Sequence, residues 1–233
     1  MKISLIHPSR SRPQKSFSAT QNWLNTCRSK DVELIVSIDE TDPDKDHYFS
    51  LYSRCHQARV IVNNNRSAVD AINNAAKEST GELLIVVSDD TDSIRNWDEV
   101  ILRAIDGKKD FVLKTYDGVQ KWICTMPVLD RTYYNRFGYI YHPDYYHQFC
   151  DTEFTHVADI TKRMIWRNDI EIKHLHYSVL KEIRDPLYMR NDNSFKEGQR
   201  LYLKRFKEGF GLKGVDVWDI QGEGHIQWLK RAI

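Results

Sequence analysis

The 233-residue sequence contains no apolar run that approaches membrane-spanning length, and the apolar part of its opening MKISLIHP is too short for a secretory leader. Net charge is nearly absent, formally +1 at pH 7, which excludes a uniformly basic nucleic-acid binder. Cysteine is scarce: Cys27, Cys55, Cys124 and Cys150 show no C-x-x-C spacing, so reduced and mostly buried thiols are expected, not a disulfide or zinc framework. Glycine is missing from the stretch Pro8 to Pro13, which argues against a glycine-rich phosphate loop after the first strand. Internal repeats and low-complexity tracts are lacking as well. These absences predict a soluble cytoplasmic protein.

What is present is the composition of a globular chain, 41% hydrophobic and 12% aromatic, long enough to bury a substantial core. The charge is unevenly spread. The first 30 residues hold Lys2, Arg10, Arg12, Lys15, Arg28 and Lys30 and no acid, whereas Asp31 to Asp46 is acid-rich.

Alternating apolar runs and amphipathic segments predict an α/β fold with a mostly parallel, doubly wound sheet. Strands are expected at Lys2–His7, Val32–Ile38, Ala58–Val62 and Leu83–Val87, and helices at Ser16–Cys27 and Ser67–Glu78, the latter capped from Asn63–Asn65. The segment between Asp39 and Ala58 reads as polar connection. Further on, the pattern predicts a helix at Trp97–Ile105, a strand at Phe111–Tyr116, an apolar run Trp122–Leu129, a helix from Asp151 to about Arg163, and a strand Ile170–Leu175. Tyr133, Tyr134, Tyr139, Tyr141, Tyr145 and Tyr146 form an aromatic patch read as packing. The expected division is a main domain over residues 1–180, with a donor half 1–97 and an acceptor half 98–180, followed by a helical C-terminal extension 181–233.

The central stretch is GELLIVVSDDTD, Gly81 to Asp92. Leu83 to Val87 is a strand buried on both faces, and it breaks into Ser88, Asp89, Asp90, Thr91 and Asp92 at the end where open α/β sheets bind ligands. Strand alternation would turn Ser88, Asp90 and Asp92 one way and Asp89 the other. Asp90 is the expected ligand, and Asp89 a solvated or helix-capping neighbour that touches the donor at most.

These residues carry a resemblance. The first half, about Met1 to Trp97, resembles nucleotide-sugar-dependent glycosyltransferases of family 2, which have the GT-A fold. Pro8 after the first strand and Asp39 after the second match positions that hold the nucleotide base and ribose. Asn65-Arg66-Ser67, then Asn73, then Gly81-Glu82 follows the family's spacing, with Ser67 replacing the usual glycine. VSDD resembles the end of its L-D-x-D-D strand, with Ser88 in place of the first acid. The resemblance implies a donor site of Pro8, Ser9, Arg10, Arg12, Asp39, Asn65, Arg66, Asn73, Asp89 and Asp90. It further implies Mn²⁺ or Mg²⁺ on Asp90 and a late histidine, His176 with His174 as alternate, and Asp151 as the base of an inverting transfer. Cys150 departs from the Glu that often precedes that base. Trp122, Asp130, Arg131 and Glu153 are the expected acceptor-side residues. A UDP-sugar is the favoured donor.

Plainer readings stand beside these. Asp39 can be an ordinary turn former, Asp151 a helix-terminal charge, and one strand histidine a structural group. His7, His142 and His147 show no ligand spacing. The acceptor is either a glycan or a 5-hydroxymethyl-pyrimidine in DNA. The DNA reading rests on the mixture of bases and aromatics from Lys181 through Arg184, Tyr188, Arg190, Lys196, Arg200, Tyr202, Lys204, Arg205, Phe206 and Lys207 to Lys213, on the acid-free first 30 residues, and on a likeness to small enzymes that phages use on DNA in the host cytoplasm. A surface helix with a solvated charged face would give the same pattern. Outside this family, a nucleotidyltransferase or a non-catalytic nucleotide- or carbohydrate-binding module would share the sheet and its strand-end acid.

Overall fold

The computed structural model describes residues 1–175 and 194–221. In chain order the elements are β1 (Ile3–Pro8), α1 (Pro13–Thr26), β2 (Val32–Asp39), α2 (Lys45–Tyr52), β3 (Ala58–Asn63), α3 (Ala68–Glu78), β4 (Leu83–Val86) and β5 (Thr91–Asp92). They continue with α4 (Trp97–Ile105), β6 (Val112–Tyr116), β7 (Val128–Asp130), α5 (Arg131–Phe137), α6 (Cys150–Ile160), β8 (Met164–Glu171), β9 (Lys173–His174) and α7 (Phe195–Lys207).

Seven strands form one sheet in the order β3-β2-β1-β4-β7-β6-β8, and β5 pairs with β9 in a separate antiparallel ribbon. The β1–β2, β2–β3, β1–β4 and β6–β8 pairs are parallel, whereas β7 runs antiparallel between β4 and β6. The chain winds outward through β2 and β3 and returns by α3 to place β4 on the other side of β1. The crevice at the carboxyl ends of β1 and β4 is therefore a topological switch point, the usual ligand position in open α/β sheets.

Alternation along the central strands explains why both sheet faces are covered. Leu5, Leu34, Val36, Leu83 and Ile85 join Trp23, Trp97 and Ile101 in one core, beneath α1 and α4. Ile6, Ile35, Leu84 and Val86 join Val69, Ile72, Tyr133, Phe154, Tyr202 and Phe206 in the other, beneath α3, α5, α6 and α7. Most of the expected tyrosine packing lies here, with Tyr133, Tyr134, Tyr141 and Tyr145 buried. At Gly81 a Cβ would stand 2.4 Å from Ser4 Oγ and 2.7 Å from Ser4 N, so only glycine lets the chain enter β4 beside β1.

Several expected boundaries shift. Helix α2 forms in the segment read as polar connection, because its inner face rests on the buried Tyr48 and Tyr52, with Leu51 partly buried beside them, and leaves no strong apolar period. Ser67, not Asn63–Asn65, caps α3, its side chain accepting from the Asp70 amide. The expected strand Ile170–Leu175 splits: β8 runs earlier, from Met164, and β9 belongs to the ribbon with β5. Among the described residues no helix is long and apolar enough to cross a membrane.

Candidate active site

The switch-point crevice is a cleft of about 290 Å³, at the lower edge of the range usual for small-molecule sites. Pro8, Ser9, Arg10, Arg12, Asp39, Asp89, Asp90 and Asp151 all line it. Residues far apart in sequence meet there because β1, β2 and β4 end together and α6 begins opposite them.

One wall is built from the loops after β1 and β2, which brace each other. Ser9 Oγ and Tyr48 Oη share a hydrogen bond of 2.6 Å, and the Arg12 amide donates to the same Tyr48 oxygen at 3.0 Å. The Ser11 amide donates to Asp42 Oδ2 at 2.8 Å, with Ser11 in the left-handed region. The Arg10 guanidinium pairs with the Asp39 carboxylate and reaches Thr41 Oγ1. The missing glycine of this loop is thus supplied by side-chain bracing, with Ser11 taking the positive φ.

The floor is the end of β4. The strand stops at Val86 and residues 89 and 90 turn, so strict alternation does not extend to the acids. Asp89 and Asp90 both face the cleft, and Asp89 is buried, not solvated: its side chain is 5% exposed. Asp89 Oδ1 lies 3.1 Å from His7 Nε2, but that nitrogen is directed at Ser16 Oγ at 2.8 Å, and the carboxylate oxygen accepts no hydrogen bond from the described residues. Arg12 stands 3.9 Å from the other oxygen. The Ser88 hydroxyl donates to Asp90 Oδ1.

The β5–β9 ribbon brings His174 to Asp90. Its pairing sets Thr91 opposite His174, the Leu175 amide donates to the Asp90 carbonyl at 2.6 Å, and His174 Nε2 lies 3.2 Å from Asp90 Oδ2. Burial alone would lower the His174 pKa, but the hydrogen bond and charge of Asp90 outweigh it and raise it. His176 lies outside the described residues.

Asp151 sits in the first turn of α6, its Oδ1 accepting from the Thr152 amide at 2.8 Å. Burial pushes its pKa up, against the bonds from Thr152, and the charge of Asp117 adds to the rise. Asp117 anchors the loop before β7, accepting from the Val119 and Gln120 amides and from Thr125 Oγ1, and Thr125 in turn lines the cleft.

Seven of the expected site residues do not line the cleft. Asn65 is buried and ties the turn after β3 to the Ile38 carbonyl. Arg66 holds Asp70 on α3 through two nitrogens and donates to the Pro143 carbonyl. Asn73 accepts from the Ile140 and Tyr141 amides and donates to the Tyr141 carbonyl, so it acts on the cleft only by fixing Tyr141. On the acceptor side, Asp130 caps α5, and Arg131 donates to the Ser79 and Gly81 carbonyls. Glu153 is buried against Arg205 and Tyr145, and the partly exposed Trp122 packs edge-on against Trp166. Asp130, Arg131 and Glu153 thus spend these contacts within the fold, away from the cleft.

Sequence reasoning missed other parts of the wall. Ser67, Ala68, Val69, Ala71 and Ile72 bring the start of α3 to the cleft, and Tyr141, Tyr146, His147, Gln148 and Cys150 form the opposite side. Ser67 and Cys150 fall on positions of the family's spacing without being marked there as cleft residues, and the others have no spacing that marks them, since their meeting depends on the loop before α6 folding back over β4.

Comparison with known proteins agrees with this architecture. The mannosyltransferase PcManGT from Pyrobaculum calidifontis, in complex with GDP-Man and Mn²⁺, superposes with a TM-score of 0.68 at 11% identity, over 99% of this chain and 73% of that one. TarS from S. aureus in complex with UDP-GlcNAc gives 0.70 at 17% identity, over 99% of this chain and 72% of that one. Against a longer TarS chain the match covers 43% of that chain. At such identities the likeness shows the GT-A fold. A search of curated proteins gives no significant match. The sequence profile described as glycosyl transferase family 2 matches residues 17–169, well over half of the chain. The chain belongs to glycosyl transferase family 2 and is a glycosyltransferase.

Proposed function

We propose that the chain transfers a sugar from a nucleoside diphosphate sugar, a UDP-sugar by preference, to an acceptor hydroxyl with inversion at the sugar carbon. The observation that carries this reading is the convergence of Asp90, His174 and Asp151 on one cleft. The TarS and PcManGT complexes, with UDP-GlcNAc and with GDP-Man and Mn²⁺, support a nucleotide-sugar donor.

The donor set fits a divalent cation. Asp90 and His174, in contact at 3.2 Å, are the residues that would hold it, although among the described residues no third His, Cys, Asp or Glu joins them in a metal-holding group. A carboxylate oxygen and an imidazole nitrogen suit Mn²⁺ or Mg²⁺, with phosphate oxygens and water completing the shell. Once bound, such an ion would neutralise the departing diphosphate. Asp39 and the loop from Pro8 to Arg12 would hold the nucleoside, and Arg10, now paired with Asp39, and Arg12 would meet phosphate charge. Asp151 would take the acceptor proton, and its raised pKa brings it closer to a base matched to neutral pH.

The acceptor is a glycan or a hydroxymethyl-pyrimidine in DNA. On the DNA side stand Lys196, Arg200, Lys204 and Lys207, all exposed on α7, whereas Tyr202 and Phe206 of the same expected surface are buried in the core and Arg205 is held by Glu153. Duplex binding that weakens steeply with salt would support it, and no binding at low salt leaves the glycan.

The test is a donor screen with Mn²⁺ that follows nucleoside diphosphate release, using wild type and Asp151→Asn. Wild type should release diphosphate. Asp151→Asn should lower turnover by about 10²–10⁴ with donor affinity kept. If wild type releases nothing from any common nucleotide sugar, the reading fails.

A further inference from the structure

The span matched to the family ends at residue 169, yet α7, beyond it, lies against the wall that carries Asp151. Gly198 approaches Gln148 so closely that a Cβ on it would stand 2.3 Å from the Gln148 carbonyl oxygen and 3.0 Å from its carbon. Both are backbone atoms and cannot swing aside, so the approach requires glycine at this position. Gln148 itself lines the cleft.

The next residue, Phe149, occupies the left-handed region at φ +70°, a conformation a bulky side chain adopts only when its surroundings hold it there. Its ring packs against two residues of α7, Phe195 at 5.1 Å and Tyr202 at 6.0 Å between centroids. Phe149 is also the N-cap position of α6, so its conformation sets the direction in which the helix starts, two residues before Asp151. Further along, Arg205 grips Glu153 and Tyr202 bonds His156, which fixes the register of α7 along α6.

We infer that Gly198 and Phe149 are positioning residues for Asp151: the backbone approach of α7 holds the 148–149 turn that presents the Asp151 carboxylate to the cleft. The inference rests on the reading of Asp151 as the base. A methyl group at residue 198 needs α7 to retreat by about 1 Å to reach ordinary contact distance, and the turn loses its support.

The experiment compares Gly198→Ala with Phe206→Leu, which weakens the far end of α7, where Phe206 packs on His156, Phe210 and Trp218. Two readouts are taken. The first needs no turnover: the NMR resonances of the Asp151 carboxyl carbon, assigned through Asp151→Asn, and of the Thr152 amide that donates to it. The second is kcat against donor KM for sugar transfer. Gly198→Ala should move both resonances and lower kcat by about tenfold to a hundredfold with donor KM nearly unchanged. Phe206→Leu should leave both resonances and kcat in place. Wild-type resonances and kcat in Gly198→Ala overturn the inference, and so do equal changes in Phe206→Leu. If Gly198→Ala does not fold, Phe149→Gly, which keeps the left-handed turn and removes the ring, is read in the same way. Absent turnover in wild type would sink the assignment of Asp151 as base, while the resonances still decide whether α7 sets its position.

Discussion

Lowering the pH from 7 to 5 should weaken the protein through His156, a residue of α6 buried beneath the C-terminal segment. Its Nε2 stands 2.6 Å from the Val217 carbonyl and its Nδ1 2.7 Å from the Tyr202 hydroxyl, with the Phe210 ring at 4.8 Å between centroids. In the neutral ring Nε2 donates to the Val217 carbonyl and Nδ1 accepts from the Tyr202 hydroxyl; a second proton would face that hydroxyl. Burial lowers its pKa from 6.5 to about 4, against a smaller opposing effect of the Val217 carbonyl. Between those values the unfolded chain binds a proton that the folded protein refuses. Stability is therefore complete above pH 6.5 and is lost as pH falls toward 4. At about 1.4 kcal/mol per pH unit, the loss from pH 7 to 5 comes to about 2 kcal/mol. Urea unfolding of wild type and His156→Gln at both pH values isolates this effect, because every other titrating group is shared. The glutamine variant, lacking the ring contact with Phe210, should be the less stable at pH 7, but wild type should lose about 2 kcal/mol more than the variant on going to pH 5. Equal losses in the two proteins would refute the reasoning.

Arg205→Met leaves the Glu153 carboxylate buried without its bidentate partner and should cost about 3–5 kcal/mol in urea unfolding, with most of it regained in the double variant Arg205→Met, Glu153→Met; a loss below ~1 kcal/mol would mean the pair behaves as a solvated one. Gly81→Ala forces a methyl into Ser4 and should cost about 1–3 kcal/mol, measured the same way. His174→Ala should weaken Mn²⁺ binding in the presence of UDP by at least about tenfold in calorimetry, with the melting temperature little changed; unaltered affinity would refute the proposal that His174 holds the ion.

The parallel half of the fold was legible because strands buried on both faces produce unbroken apolar runs. Val32–Asp39 and Leu83–Val86 stand out for that reason, as does α4, whose apolar face fills a regular helical period. Helix α2 escaped notice because two buried tyrosines carry it. At the site, Asp39, Asp90 and Asp151 could be read because each follows a strand or opens a helix, where topology alone points a side chain at the crevice. Arg66, Asn73 and Arg131 have the same polar character but bind carbonyls, amides and Asp70 within the fold. One sequence cannot separate a polar group that serves a ligand from one that satisfies the backbone. The Asp90–His174 contact was reached only through the family resemblance, and there as the alternate to His176, because it is made by a two-residue strand pairing across more than eighty positions that no local pattern marks.

The loops after β1 and β2 are joined at Ser9, Arg10, Ser11 and Arg12 by hydrogen bonds to Tyr48, Asp39 and Asp42. Two segments cross-linked in this way have little conformational freedom left to lose when a ligand arrives, so most of the ligand's contact energy remains as affinity and is not consumed in ordering the chain. Capture of the nucleoside should then proceed as a single fast step without a slow rearrangement of this wall, and cutting a brace, as in Tyr48→Phe, should appear as slower association before it appears as lost contacts.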